Sequence, residues 1–546
     1  MSGLAEFEHA LLLLLLIAGL SVVGRWLPWP QMITYIAGGV GAAFLPGFPR
    51  VQLDPGFFFV CFLPPLLFAD GWLMPIREFL RAKRPILTLA IGLVAFTTLA
   101  VGYVAHFLVP GLSVAMAMAL GAVVSPTDAV AVSAITERLK VPNRLSTVLS
   151  GESLMNDATG LVAFKFAIAA CVVGGFSLRA ALLDFLVLSS GGFLLGLAVS
   201  YAIGKLRDLI RHLQSSDPTV EATLSLMTPY AAYLLADRLG LSAVLSVVAA
   251  GLYAGWRDPV RMDVEARQTA YRVWETVLFW LNGLAFLLLG LQFPSVLAAV
   301  SHQFSGLQLL GLTAAVAGTA MVGRLLWMFP GTYVPFLLPS VRRREVPASP
   351  RAVLVCGWAG MRGAVTLAAA LSIPLYLPGG APFPGRDIVI FLSFGVIATT
   401  LLVQGTTLEA LIRALGLRED ETRAGEERLA RMSAVEAGLQ ELRALEAAAT
   451  TDDQMSALGH VIAEYELRLA ELASEGETRA SARERQAAGR RYHLAALRAE
   501  RDAINRLWHS GAIIDEVHHP LLSLLDHEET VLVGTGPEAP AEPLSG

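Results

Sequence analysis

Four polar side chains lie together in "LSGESLMNDATG", residues 149 to 160: Glu152, Ser153, Asn156 and Asp157. Helical spacing stacks Glu152 with Asn156 and Ser153 with Asp157 on adjacent faces, so one helix offers a wedge of two carboxylates, an amide and a hydroxyl. Such a set can hold a cation or take up a proton. The flanking residues are apolar, and a carboxylate at bilayer depth costs about 3 kcal/mol on insertion scales, so it persists where it has a partner, a cavity or a task. Two further constellations share this character. In "SPTDAV" (125 to 130) Pro126 removes a backbone donor beside Ser125, Thr127 and Asp128, which frees carbonyls that a cation can use. In "GWAGMRGAV" (357 to 365) Gly357, Gly360 and Gly363 surround Arg362 and weaken the helix. That guanidinium needs an anion, and Glu152 is the leading candidate. Asp157 has no local cation, since Lys165 lies two turns further along, so an ion or proton is its natural partner. Asp70, in "LLFADGW", reads either as an entrance carboxylate or as an interfacial residue. Asn282, in "FWLNGLAFL", reads as a close helix contact or as part of the ion path, while Arg324 and Glu275 read as packing or topology residues.

The elements that must position these residues are membrane helices. Of 546 residues 55% are hydrophobic and 16% charged, with mean hydropathy +0.58, which excludes an ordinary soluble core. A net charge of -5, with basic residues scattered in short clusters, excludes a nucleic-acid partner. Cys61, Cys171 and Cys356 sit in apolar runs without metal-like spacing. At about 20 apolar residues per crossing, thirteen candidate spans fall between residues 6 and 412. The first follows "EFEH" rather than a basic segment and lacks a small-x-small cleavage site, so it reads as a retained span. Arg and Lys concentrate in alternate loops (77 to 84, 138 to 144, 205 to 211, 257 to 267 and 342 to 344), which places the N-terminus outside and the C-terminus inside. The fifth and twelfth spans are both broken near mid-membrane and lie seven crossings apart, so they run in opposite directions. Interrupted helices at corresponding positions of two inverted halves point to a transporter site. The expected fold is an all-α polytopic membrane protein with two inverted repeats and crossing interrupted helices. It comprises a transmembrane domain (1–415), a cytoplasmic helical regulatory or dimerisation domain (416–534) and a disordered tail (535–546).

At "SPTDAV", "GESLMNDATG" and "GWAGMRGAVTLA" the sequence resembles the sodium/proton exchanger family, in its bacterial NhaP-like branch, over nearly all of residues 6 to 415. The resemblance implies a homodimer in which a mobile core moves against a dimerisation scaffold. It implies Asp157 as the carboxylate for ion and proton and Asn156 as its neutral neighbour. Ser153 and Asp128 join the site, Thr127 lends a backbone carbonyl, and Glu152 with Arg362 holds the core together. Asp70 matches a carboxylate position near the site less securely. The expected activity is secondary antiport of Na⁺, or of Li⁺ or K⁺, for H⁺ across the plasma (inner) membrane, by competition for Asp157. With Asn rather than a second Asp at 156, the resemblance implies an exchange of one charge for one. A K⁺/H⁺ antiporter of the same fold and a cation channel are the alternatives, although no filter-like carbonyl loop is present. No cofactor beyond the transported ions is expected. An intramembrane hydrolase lacks its catalytic set, since no histidine lies near the three constellations.

Overall fold

The structure, a computed structural model, describes residues 3–534 apart from 28, 47, 49–54, 140, 174–177, 214–216, 344, 378–379, 418–420, 449–450, 474–476 and 511. The expected disordered tail from 535 lies outside the described residues. Among the described residues there are helices and a single isolated β-bridge, Tyr376 to Pro382. Two compact units divide the chain, Met1–Glu419 and Asp420–Gly546.

In the first unit α1 (Gly3–Gly24), α2 (Gln31–Ala43) and α3 (Pro55–Trp72) are followed by the short α4 (Ile76–Arg81). Helix α5 (Lys83–Leu87) runs through a π-helical turn, Thr88–Leu93, into α6 (Val94–Leu108). The broken pair α7 (Val114–Val124) and α8 (Ala129–Arg138) precedes the long α9 (Asn143–Val173) and α10 (Leu178–Leu213). Then come α11 (Pro218–Arg238), α12 (Ala243–Arg261), α13 (Val264–Val300) and α14 (Gly306–Tyr333). After the short α15 (Pro339–Arg342), a second broken pair, α16 (Pro350–Trp358) and α17 (Ala364–Leu371), leads to α18 (Arg386–Leu415).

Local chemistry sets many of these boundaries. Ser113 caps α7 by accepting from the Met116 amide at 3.2 Å, and Ser305 with Gln308 forms a capping box at α14. Gly416 ends α18 in the left-handed region at φ 64°. Small residues set the distance between α10 and α12. A Cβ added to Gly196 would fall 2.7 Å from the Ser246 carbonyl carbon, so the two backbones touch directly, as small residues permit in membrane helices.

Among the described residues, eight helical segments are long and apolar enough to cross a membrane. They coincide with the expected spans at 6–25, 85–109, 113–136, 146–172, 180–204, 269–292, 306–338 and 387–412. The remaining five expected spans coincide with α2, α3, α11, α12 and the α16/α17 pair, which are shorter, interrupted or more polar.

The second unit holds α19 (Glu421–Ala448), α20 (Asp452–Ala473), α21 (Glu477–His509) and α22 (Asp515–Gly534). Helices α19 and α20 share the Arg443–Glu466 pair at 2.9 Å, and Arg501 of α21 reaches Asp526 and Glu529 of α22 at 2.7 and 2.6 Å. His518 stacks on Trp508 with ring centroids 4.6 Å apart. Within "WHSGAIIDEVHHP" His518 thus packs on Trp508, and no group of three metal-ligating side chains occurs among the described residues.

Candidate ion-binding site

The two breaks face each other and complete each other's hydrogen bonds. Residues 125–128 leave helical geometry between α7 and α8, as do 359–363 between α16 and α17. Across this junction the Asp128 amide donates to the Met361 carbonyl at 2.8 Å. In return Arg362 Nε donates to the Val124 carbonyl at 3.0 Å, and Arg362 Nη1 donates to the Gly360 carbonyl. Backbone groups at the ends of the two breaks thus find protein partners, as a low-dielectric site favours. Gly363 is required by this crossing. A Cβ there would lie 2.6 Å from Asp128 Cγ and would collide with Oδ2.

Helix α9 brings its wedge against the first break. Asn156 Nδ2 donates to Thr127 Oγ1 at 2.9 Å. That hydroxyl lies 3.4 Å from both Glu152 Oε1 and Ser153 Oγ, so its single proton serves one or the other. Asn156 Oδ1 is buried without a hydrogen-bond partner among the described residues. Asp128 Oδ1 accepts from the Val130 amide at 2.8 Å, which starts α8.

The structure corrects the expected Glu152–Arg362 pair. Glu152 is held bidentate by Arg324 of α14, through Nη1 and through Nη2 at 2.8 Å, and both side chains are 1% exposed. Arg324 also donates to the Cys356 carbonyl from Nε at 3.2 Å and Nη2 at 2.9 Å, satisfying an acceptor at the end of α16. The pairing drawn from sequence put the anion on the guanidinium nearest the broken helix, but that guanidinium is consumed by carbonyls of the breaks themselves. The missed partner was visible only as a lone arginine in "TAMVGRLLWM".

A cavity opens at this junction, lined by Asp70, Thr127, Asp128, Ser153, Asp157 and Asn282, with Phe286 and Gly363 also on its wall. Asp70, Asp128 and Asp157 are each half-buried. None of the three forms an ion pair with a lysine or arginine among the described residues. The cavity therefore gathers every expected site residue that reaches it by side chain. Asn156 and Glu152 stand one layer behind, joined through Thr127, and Arg362 braces the crossing. Asn282 of α13, read in sequence either as a close helix contact or as part of the ion path, lies on the wall. Carboxylates converging without a counterion among the described residues, beside hydroxyl and amide groups, have the chemistry to hold a hard monovalent cation or a proton.

Broken helices crossing at a polar cavity within an apolar helical unit define a polytopic membrane transporter. The model of the sodium/hydrogen exchanger transmembrane family matches residues 12–414, and the chain belongs to that family. It is 39% identical over 413 residues to the "Sodium, potassium, lithium and rubidium/H(+) antiporter" of Bacillus pumilus, covering 74% of this chain and 61% of that protein, so the chain spans about three-fifths of that relative's length. It is 34% identical to the "Uncharacterized Na(+)/H(+) exchanger YjcE" of Escherichia coli, over 97% of this chain and 99% of that one. The fold matches the sodium proton antiporter MjNhaP1 of Methanocaldococcus jannaschii with a TM-score of 0.58 and 18% identity, covering 76% of this chain and 100% of that chain.

Proposed function

We propose that this protein is a secondary antiporter that exchanges a monovalent cation for a proton at Asp157. The observation that carries the reading is the setting of Asp157, which faces the cavity with neither a cationic partner nor a hydrogen-bond donor among the described residues. An empty, ionised Asp157 is costly to carry across a low-dielectric barrier, whereas a bound cation or a proton each cancels that one charge. Mutual exclusion at one carboxylate then couples the two fluxes. Asp128, Ser153 and Thr127 complete the oxygen shell for Na⁺, Asp70 lies at its entrance, and Asn156 orients Thr127. Because Asn156 carries no charge, one cation moves against one proton and the cycle is electroneutral. The relative whose printed name includes sodium, potassium, lithium and rubidium supports a site tolerant of several alkali ions.

The protein works in the plasma (inner) membrane with thirteen spans, its N-terminus outside and its helical C-terminal domain in the cytoplasm. It acts as a homodimer whose core bundle rocks to give alternating access. The loop-charge bias supports the orientation. The test is proton flux in sealed proteoliposomes with an internal pH dye, on adding Na⁺, K⁺ or Li⁺ to wild type and to Asp157→Asn. Cation-evoked alkalinisation in wild type that is absent in the variant is expected. Equal flux in both, or none with any cation, refutes the assignment.

A further inference from the structure

The cavity carboxylates are carried by different parts of the unit. Asp128 and Asp157 stand at the crossing braced by Arg324 and Arg362, but Asp70 stands at the end of α3, whose last turn is laid on α12. A Cβ on Gly251 would sit 2.5 Å from the Phe68 carbonyl oxygen, one on Gly255 would sit 3.0 Å from the Trp72 carbonyl carbon, and one on Gly71 would sit 3.1 Å from the Leu252 nitrogen. Backbone meets backbone along this contact, and the buried Phe68 of the same turn stacks on Trp274 with ring centroids 5.4 Å apart. The end of α3 carries one polar anchor as well, Trp72, two residues beyond Asp70 and about 200° round the helix from it. Its indole Nε1 donates to Asp258 Oδ2 at 3.2 Å, and its ring packs on Tyr271 with centroids 4.8 Å apart.

Asp258 is itself held by a chain of charges across α10, α11 and α12. Its Oδ1 accepts from Arg207 Nη1 at 3.1 Å, and Arg207 Nε lies 3.7 Å from Glu221 Oε2. Glu221 Oε1 accepts from Arg211 Nη2 at 3.0 Å. Arg211 Nη1 donates to the Arg261 carbonyl at 2.8 Å, and Arg261 Nη1 reaches Asp208 at 2.8 Å. Arg207, Glu221 and Asp258 are only 5%, 5% and 8% exposed. Three arginines balance three carboxylates; Arg211 and Arg261 stand in the last turns of α10 and α12 and Glu221 in the first turn of α11, where the helix dipoles favour them. Buried ion networks add little net stability, and their best-attested service is to fix one geometry.

We propose that Trp72 and Asp258 are positioning residues for the ion site: the Asp258 network locks the rotation of α3 and so aims Asp70 into the cavity. This rests on the antiport reading. A 30° roll of α3 would swing a carboxylate near the helix surface by about 3 Å, enough to take Asp70 out of reach of a bound cation or its water.

The test compares wild type, Trp72→Phe, Asp70→Asn and the double variant, each full-length in proteoliposomes. Na⁺-dependent proton flux is titrated, and Na⁺ binding to the purified protein is measured by calorimetry. Trp72→Phe keeps the ring and removes only the donor. The expected result is a rise of about tenfold in the Na⁺ concentration for half-maximal flux and in the Kd, the scale on which outer-shell partners of a cation site act, with maximal flux little changed. In the Asp70→Asn background the same change is expected to add less than about twofold, because the group it aims is gone. An equal loss in both backgrounds, or a fall in maximal flux with half-saturation unmoved, means that Trp72 serves stability alone and overturns the proposal. Asp258→Asn, which keeps an acceptor for the indole while cutting the charge link to Arg207, serves in the same scheme if Trp72→Phe does not fold. Wild type that binds Na⁺ but moves no protons defeats the antiport reading while leaving the positioning readable in the Kd. Wild type that neither binds nor transports defeats both.

Discussion

Replacing Arg324 by methionine takes away four hydrogen bonds at one stroke, two to Glu152 and two to the Cys356 carbonyl. Glu152 is left 1% exposed and charged, with Thr127 Oγ1 at 3.4 Å as its nearest remaining donor. Breaking one side of a buried pair costs about 3–5 kcal/mol, and the orphaned carbonyl adds about 1 kcal/mol or more. Methionine fills much of the vacated stem volume, so the loss is chiefly electrostatic. For a cooperative unit spanning residues 1–419, 1 kcal/mol corresponds to roughly 1 °C in apparent Tm, so a fall of about 5 °C is expected in a detergent thermal-shift assay. Adding Glu152→Gln neutralises the stranded carboxylate and is expected to return about 3 °C of it. The same cycle run between Glu152 and Arg362 is expected to give a smaller coupling, because Arg362 spends its donors on Val124 and Gly360. If Glu152 couples more strongly to Arg362 than to Arg324, or if Arg324→Met costs no more alone than with Glu152→Gln, the reasoning fails.

Further outcomes follow from the same geometry. Gly363→Ala forces Asp128 off its place, since overpacking costs about 1–3 kcal/mol; cation-driven flux is expected to fall at least tenfold while the protein remains monodisperse on gel filtration. Gly196→Val pushes α10 off the Ser246 backbone and is expected to lower the apparent Tm in the same thermal-shift assay. Competition at Asp157 predicts that the apparent KM for Na⁺ rises about tenfold per unit fall in pH on the acid side, with maximal flux unchanged, because each proton bound removes one cation site; initial-rate titrations at several pH values check this. Electroneutral exchange predicts flux indifferent to a potassium-diffusion potential, and a flux that follows the imposed voltage would require a different stoichiometry.

Much of this molecule was legible along the chain because a membrane imposes strong local rules. An apolar stretch in lipid must satisfy its own backbone, so the helices and the interruptions at 125–128 and 359–363 were readable from composition, proline and glycine. Asp157 stood out for the same reason, as a carboxylate without a cation nearby in sequence. The tertiary structure alone decided partnership. Which guanidinium meets Glu152 depends on the approach of α14 to α9, 172 residues apart, and no periodicity within either helix encodes that distance. The Trp72–Asp258 bond spans 186 residues, and Asp70 and Asn282 reach the cavity only through the packing of α3 and α13 around it. Local chemistry fixes which residues are costly to bury. Only the assembled packing fixes which of them meet, because pairing needs contact within hydrogen-bond distance and that distance is set by how helices far apart in sequence pack.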